Sequence, residues 1–397
     1  MRTALAWIVV GVGAVHGLLH LLGAAKGLGW GDVQQLDEPI STTMGVLWLL
    51  TAVAVLGAVG LLAAGVRQWW LAVAVAAVAS QLVILTSWTD AKAGTLVNVV
   101  LLTAAMYGFA AHGPLSLRAD YQRQTTAALT RPIDHAVLTE ADLARLPEPV
   151  AAYVRQSGAV GQPRVHSSRA GIHGRIRSDA TKPWMAFNGE QVNTYGPEPS
   201  RLFFIDATMF GLPVDVYHAY VGPHATMRVK PCSIITMVNA AGPDMDHSET
   251  VTLFNDMCIL APATLIDPAI TWQEVDDHHA RGTYTNGEQA ITADLAFNDR
   301  HELINFVSDD RSRSSANGKT FTRERWSTPI SEYRRFGARR LGTFGEARTH
   351  APQPEGEFAY LEFHLDHITC NPPPPEPPEP PVPQRTPPAH KPPRTVK

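Results

Sequence analysis

Apolar and polar positions along the chain fall into three regimes. The first is almost continuously apolar. Thr3–Ala25, Met44–Ala64, Trp69–Trp88 and Thr95–Ala111 are runs with scarcely a charge. Each has about 17–23 residues, enough for a helix to cross a hydrocarbon core of about 30 Å. Backbone groups find no water there, so helix is the form these runs must take. The pattern predicts a four-helix transmembrane bundle over residues 1–113. A cleaved signal peptide does not suit the first run, which is long, lacks a small-x-small site and precedes three more runs. Trp69, Trp70 and Trp88 stand at run ends, where an interfacial aromatic belt places them.

The second regime is periodic. Residues 114–145 are polar and read as a juxtamembrane linker. In LPEPVAAYVRQSG, Pro149 suits a first helical turn, Val150, Tyr153 and Val154 share one face, and Gly158 ends the helix. From Val165 the period changes to two. RVHSSRAGIHGRIR, WMAFNGEQVNTY, RLFFIDATMF, VDVYHAYV and HATMRVK alternate, and SIITMVNA follows as an apolar strand. Asn188-Gly189, Gly196-Pro197, Gly211-Leu-Pro213 and Gly222-Pro223 supply turns between them.

Strands return after Pro268 as ITWQEV, HARGTYTN, QAITADLAFN, LINFVSDD, KTFTRERWSTPI, RRFGARRLGTFGEARTH and FAYLEFHLDHITC. Between the two blocks lies Glu249–Asp267, a short amphipathic helix that Pro262 stops. Asp246 and Glu249 have capping-box spacing, and Val251, Phe254, Met257 and Cys258 form its apolar face. A helix so placed is a crossover within one sheet. About 11–13 strands are too many for a small open sheet, which should curl. The expected fold for residues 146–370 is therefore α+β, a curled antiparallel half-barrel with one main crossover helix, enclosing an apolar cavity.

The third regime, residues 371–397, is proline with polar residues. It cannot bury enough apolar area to fold and reads as a disordered polyproline-II tail. Its P-x-x-P spacings could recruit a partner with an SH3-like groove.

Charge narrows the partners. A formal charge of −4 on 397 residues offers no basic face to nucleic acid. Near the spans, Arg2, Arg67, Arg118 and Arg123 oppose Lys26, Lys92, Asp32, Asp37, Glu38 and Asp90. The positive-inside rule then gives a multi-pass cell-membrane protein with its sheet domain in the cytoplasm. Cys232, Cys258 and Cys370 are widely spaced and suggest neither a zinc site nor a disulfide framework. No dinucleotide fingerprint, Walker loop, H-E-x-x-H or G-x-S-x-G occurs, so no cofactor or metal is expected.

Polar residues inside apolar segments are the remaining candidates. His16 and His20 lie one turn apart on the first span, with Gln81 and Asn98 inside the third and fourth. They read either as interhelical hydrogen-bond glue or as an intramembrane metal, haem or proton site. Asn255 and Asp256 sit mid-helix, where both are poor helix formers, and point to hydrogen bonds with the sheet or a ligand. Asp309, Asp310 and Arg311 close a strand and are either a structural ion pair or an acid/base site. His278 and His279 read as a solvated turn.

The run FNDMCILAPATLID, then ITWQEVD, then ADLAFNDRHELINFVSDDR resembles an uncharacterised bacterial domain of unknown function, and LPEPVAAYV resembles its start. The resemblance covers roughly Leu146 to Trp326 and brings no activity or catalytic residue with it. The architecture is also similar to the LolA/LppX half-barrel lipoprotein carriers, which implies a place for acyl chains.

Three functions follow as expectations. The foremost is a membrane-anchored protein that binds an apolar or lipid-like ligand in a β-sheet cavity. Phe203, Phe204, Met209, Phe210, Phe254, Met257 and Leu260 would line its wall. The alternatives are a membrane-bound hydrolase-type enzyme with an Asp/His site, and a scaffold acting through the proline-rich tail.

Overall fold

The computed structural model describes residues 3–34, 36–131, 134–315 and 318–374. The proline-rich segment from 375 onward lies outside the described residues.

The N-terminal part is helical. It comprises α1 (Thr3–Leu28), α2 (Thr42–Ala63), α3 (Trp69–Leu85), the single turn α4 (Trp88–Ala91) and α5 (Gly94–His112). Ser41 caps α2 by accepting the Met44 amide at 3.3 Å. Val55, Ala58, Trp69, Val73, Ala76, Leu101 and Ala104 form a shared seam of α2, α3 and α5. Small residues set the closest approach. A Cβ on Gly27 would meet the Gly45 backbone at 2.6 Å, so α1 and α2 touch main chain to main chain.

Among the described residues, three helical stretches are long and apolar enough to cross a membrane: Leu5–Leu28, Thr42–Ala63 and Gly94–Leu129. The third expected span, Trp69–Trp88, is cut short. α3 has 17 residues, because the chain turns at Thr86 and Ser87 before Trp88.

α6 (Leu117–Leu129) follows α5 after a four-residue turn, with Ser116 accepting the Ala119 amide as its cap. Within the region read as a linker, Leu138 and Leu143 are buried in the core of the sheet domain. α7 (Glu148–Gln156) presents Val150, Tyr153 and Val154 inward, and the Tyr153 hydroxyl donates to the Cys258 carbonyl at 2.7 Å.

The strands alternate as the two-residue period requires. The first block is β1 (Ser167–Ile176), β2 (Met185–Thr194), β3 (Ser200–Met209), β4 (Leu212–Val221), β5 (His224–Pro231) and β6 (Val238–Ala241). Then comes α8 (Pro243–Leu260). The second block is β7 (Ile270–Asp276), β8 (His279–Asn286), β9 (Gln289–Phe297), β10 (Leu303–Ser308), β11 (Ser312–Ser314), β12 (Phe321–Arg323), β13 (Arg325–Phe336), β14 (Arg339–His350) and β15 (Glu357–Cys370).

Thirteen strands make one open antiparallel sheet, in the order β6-β5-β4-β3-β2-β1-β15-β14-β13-β10-β9-β8-β7. β11 and β12 pair apart. The two edges, β6 and β7, are the strands that α8 joins. The helix is thus a crossover from edge to edge over the concave face. At one end the rims meet, where the Asn286 side chain donates to the Tyr220 hydroxyl and the Gly222 carbonyl, each at 2.7 Å.

Three local expectations change. The helix begins at Pro243, capped by Gly242, so Asp246 and Glu249 are not a capping box. Asp246 instead accepts the Ala225 amide at 2.6 Å. SIITMVNA yields only three residues of strand, Val238 to Ala240 of β6, since Ile234, Ile235 and Met237 stand exposed in the loop before it. RRFGARRLGTFGEARTH is a hairpin, not one strand: Gly337, at φ 61°, turns β13 into β14.

α8 is buried on every side from Ser248 to Leu260. Phe254 is its anchor, with ring centroids 5.6 Å from Tyr284 and Phe306 and 6.0 Å from Trp272. α6 lies on the opposite, convex face, where Leu117, Tyr121 and Ala128 cover Leu202, Phe204, Tyr217 and Ala219.

Candidate functional site: a hollow between the sheet and its helix

The helix does not fill the concave face. Between α8 and the sheet lies a hollow with two lobes that share Ile176, Ile205, His218, Glu249, Arg311, Trp326 and Tyr360. The inner lobe has about 130 Å³ and the outer about 270 Å³. A dry cavity of about 150 Å³ takes benzene; the outer lobe exceeds that size and the inner lobe falls just below it. The outer wall is rich in flexible side chains, with Met185, Met209, Met227, Met237 and Met245. Such side chains suit apolar guests of irregular shape.

A charged cluster stands in the wall. Arg201 on β3 donates through Nε to Asp256 at 2.7 Å and through Nη1 to Glu249 at 3.2 Å. The Gln191 and Asn193 side-chain amides also donate to Asp256, at 2.6 and 3.1 Å. Arg311 approaches Glu249 at 3.8 Å from the other side, its guanidinium 4.9 Å over the Trp326 ring.

The two carboxylates respond in opposite directions. Burial alone would raise Glu249, but neighbouring His218, Arg201 and Arg311 overcome it and hold the group down to about 2. For Asp256, burial prevails over Arg201, Asn193 and Gln191, and the group is raised. Charges this deep cost several kcal/mol each to desolvate, so their pairing is obligatory.

Two polar atoms around the inner lobe have no partner. These are Asn255 Oδ1 and Thr328 Oγ1. His218 Nδ1 faces Glu249 at 3.8 Å, an ion-pair distance when the ring is protonated. Asn255 is 5% exposed and Thr328 1%. A buried polar atom left unpaired costs about 1–3 kcal/mol, and two such atoms stand around one cavity.

The structure brings some predicted residues to this hollow and takes others away. Phe203, Leu260, Asn255, Asp256 and Arg311 line the inner lobe, and Met209 and Arg311 the outer. Phe254 and Met257 are core residues outside the wall. Phe204 points to the convex face, because successive side chains on a strand alternate, and its ring packs on Tyr121. Phe210 is at a turn and 87% exposed.

The two aspartates do not converge. Asp309 is 3.7 Å from Arg325 and mostly exposed, whereas Asp310 accepts the Thr292 amide at 2.8 Å. His279 pairs with Asp276 in an exposed turn. Among the described residues, no group of three or more His, Cys, Asp or Glu is placed to hold a metal.

The four intramembrane candidates do meet. His16 Nε2 lies 2.9 Å from Ser80 Oγ and 3.1 Å from Asn98 Oδ1, and His20 Nε2 lies 2.8 Å from the same Ser80. Asn98 donates to Gln81 at 3.0 Å, and Gln81 to Thr95 at 3.1 Å. The chain of bonds ties α1, α3 and α5 together, which is what interhelical glue does.

Gln191, Asn193, Arg201, Glu249, His218 and Thr328 are site residues that sequence reasoning did not select. A signal was present for three. Gln191 and Asn193 share one face of β2, and Arg201 pairs across from Asn193. Three polar residues on the inward face of alternating strands mark a polar spot in the core. Glu249 was masked by its place near a helix start, where a carboxylate already has a reason to be.

Comparison with solved structures brings up three likenesses. A candidate outer membrane lipoprotein-sorting protein domain from Vibrio parahaemolyticus is 10% identical, with 51% of this chain and 85% of that one covered and a TM-score of 0.29. A DUF1329 family protein from Desulfovibrio piger is 12% identical, with 56% and 91% covered and a TM-score of 0.32. A LolA superfamily protein from Nitrosomonas europaea is 8% identical, with 56% and 93% covered and a TM-score of 0.30. TM-scores of this size assign no ligand to this chain. No curated protein matches. One family model does match, over residues 136–363, more than half the chain and all but the last strand residues of the sheet domain. The chain belongs to that family, a family of unknown function (DUF6544).

Proposed function

We propose that this is a membrane-anchored binding protein whose hollow holds one lipid-like molecule, apolar over most of its length and bearing a hydrogen-bonding group. One observation carries the reading. The apolar hollow has an inner lobe around which Asn255 and Thr328 each leave a buried polar atom unpaired. The outer lobe takes the apolar part. With both lobes the space approaches the size of ordinary ligand pockets, about 300–1,000 Å³. The helices α1, α2 and α5, with α3 completing the bundle, anchor the domain in the cell membrane. By the positive-inside rule, Arg67, Arg118 and Arg123 put the sheet domain on the cytoplasmic side.

Titration of the full chain in nanodiscs with a fluorescent fatty acid tests this. Wild type should show saturable binding above the bilayer background. Ala207→Phe, which places a ring in the outer lobe, should remove that component. Identical signals from the two proteins would sink the reading.

A further inference from the structure

One end of the sheet carries an apolar lip. The β3–β4 turn exposes Phe210 and Leu212, and the β5–β6 connection exposes Ile234, Ile235 and Met237. Register puts both at the same end, since Val214 pairs with Pro231. The two loops are tied together: the Cys232 amide donates to the Pro213 carbonyl and the Ser233 hydroxyl to Asp215, each at 2.7 Å. The tip is strained. Phe210 and Gly211 both have positive φ, 50° and 79°, as a two-residue hairpin turn of this hand requires. Asn or Gly is the usual choice at the first position, and a bulky aromatic there invites a functional reason.

The membrane helices say which way this end faces. α6 lies antiparallel to β3. In its first turn Arg118 is 4.0 Å from Asp206, and past its last turn Arg131 donates to the Glu198 carbonyl. β3 therefore runs toward α5 as α6 runs away from it. Asp206 is also an electrostatic neighbour of His112, the last residue of α5. Four more residues carry the strand about 13 Å onward to Phe210. Arg67, between α2 and α3, donates to Gln122 of α6 at 2.9 Å, so a second bundle connection lies on this side. Trp184, just before β2, belongs to the same end of the sheet, with the Arg175 and Arg177 guanidiniums 4.6 and 4.3 Å from its ring. Trp beside Arg is a headgroup-level pairing.

The geometry points to a lip inserted into the leaflet where α5 ends, with Phe210, Leu212, Ile234 and Ile235 in contact with lipid. Met209 and Met237 line the outer lobe at this same end, and Met237 is itself 47% exposed. The hollow thus opens onto the bilayer, and its guest exchanges laterally with the leaflet without crossing water. The partner of this surface is the membrane that holds the chain's own helices. The exchange step rests on the binding reading above; the insertion does not.

Spin labels on the full chain in phosphatidylcholine–phosphatidylglycerol vesicles test it. Single cysteines replace Phe210, Ile235 and, as a control at the opposite end of β4, Val221, with Cys232 and Cys370 changed to Ser. Labels at 210 and 235 should favour collision with oxygen over a water-soluble nickel chelate, at a depth of about 5–10 Å below the headgroups. The label at 221 should behave as aqueous. Labels at 210 and 235 as aqueous as that at 221 would overturn the lip. Depth is read whether or not the hollow is filled. An inserted lip on a chain that binds no fatty acid would thus sustain this inference and sink the binding reading.

Discussion

At the scale of the residue, the buried cluster makes a prediction with a definite sign. Glu249 is held down to about 2 in the folded chain, below its ordinary value of 4.5. Its contribution to stability is therefore complete above about pH 4.5 and is lost as the pH falls toward 2. Glu249→Gln should cost about 3–5 kcal/mol at neutral pH, since it leaves Arg201 and Arg311 short of a counter-charge. Unfolding followed by Trp fluorescence should show the gap to wild type closing as pH drops through that window. A gap independent of pH would mean the carboxylate is not the paired, ionised group. Asp256 acts in the opposite sense, because its raised value makes ionisation a cost that acid relieves. Thr328→Val is the companion test. Removing an unpaired buried hydroxyl should stabilise the ligand-free chain by about 1 kcal/mol or more, while weakening fatty-acid retention. Lower stability and unchanged retention would place Thr328 in packing alone.

At the scale of the element, α8 organises the domain. Phe254 is fully buried among three aromatic rings. Phe254→Ala should cost about 3–5 kcal/mol of stability, measured by denaturant unfolding of the full chain. A negligible loss with abolished binding would move it from core to wall. The helix, its crossover role and most strands were legible in the sequence, because periods of 3.6 and 2 are written into the apolar positions. Its start was not. Asp246 and Glu249 have capping spacing, yet each is occupied by a tertiary partner, Ala225 and Arg201, that lies far off in the chain. Ile234, Ile235 and Met237 misled for a related reason, since apolar residues in a row read as strand even where they stand exposed in a loop. Wall residues on one strand divide by alternation. Phe203 faces the hollow and Phe204 the convex side under α6, and only the pairing register settles which is which.

At the scale of the whole molecule, three parts stand out: N-terminal helices long and apolar enough to cross a membrane, a sheet curled around a helix, and a hollow left between sheet and helix. The apolar N-terminal helices and the large antiparallel sheet followed from long apolar runs and from strand count, although three helical stretches and not four reach spanning length among the described residues. The hollow's position did not, because a cavity is the space left by residues distant in sequence. The cluster gathers Gln191, Arg201 and Glu249 from β2, β3 and α8, and Arg311 from the connection between β10 and β11. The central claim is that this space is made for a guest. Native mass spectrometry of the purified full chain, beside Ala207→Phe prepared identically, tests it most directly. The account predicts that wild type carries one lipid-like molecule per chain and that Ala207→Phe, equally folded, carries none. A wild-type chain that is always empty, or a variant that retains the same molecule, would contradict it.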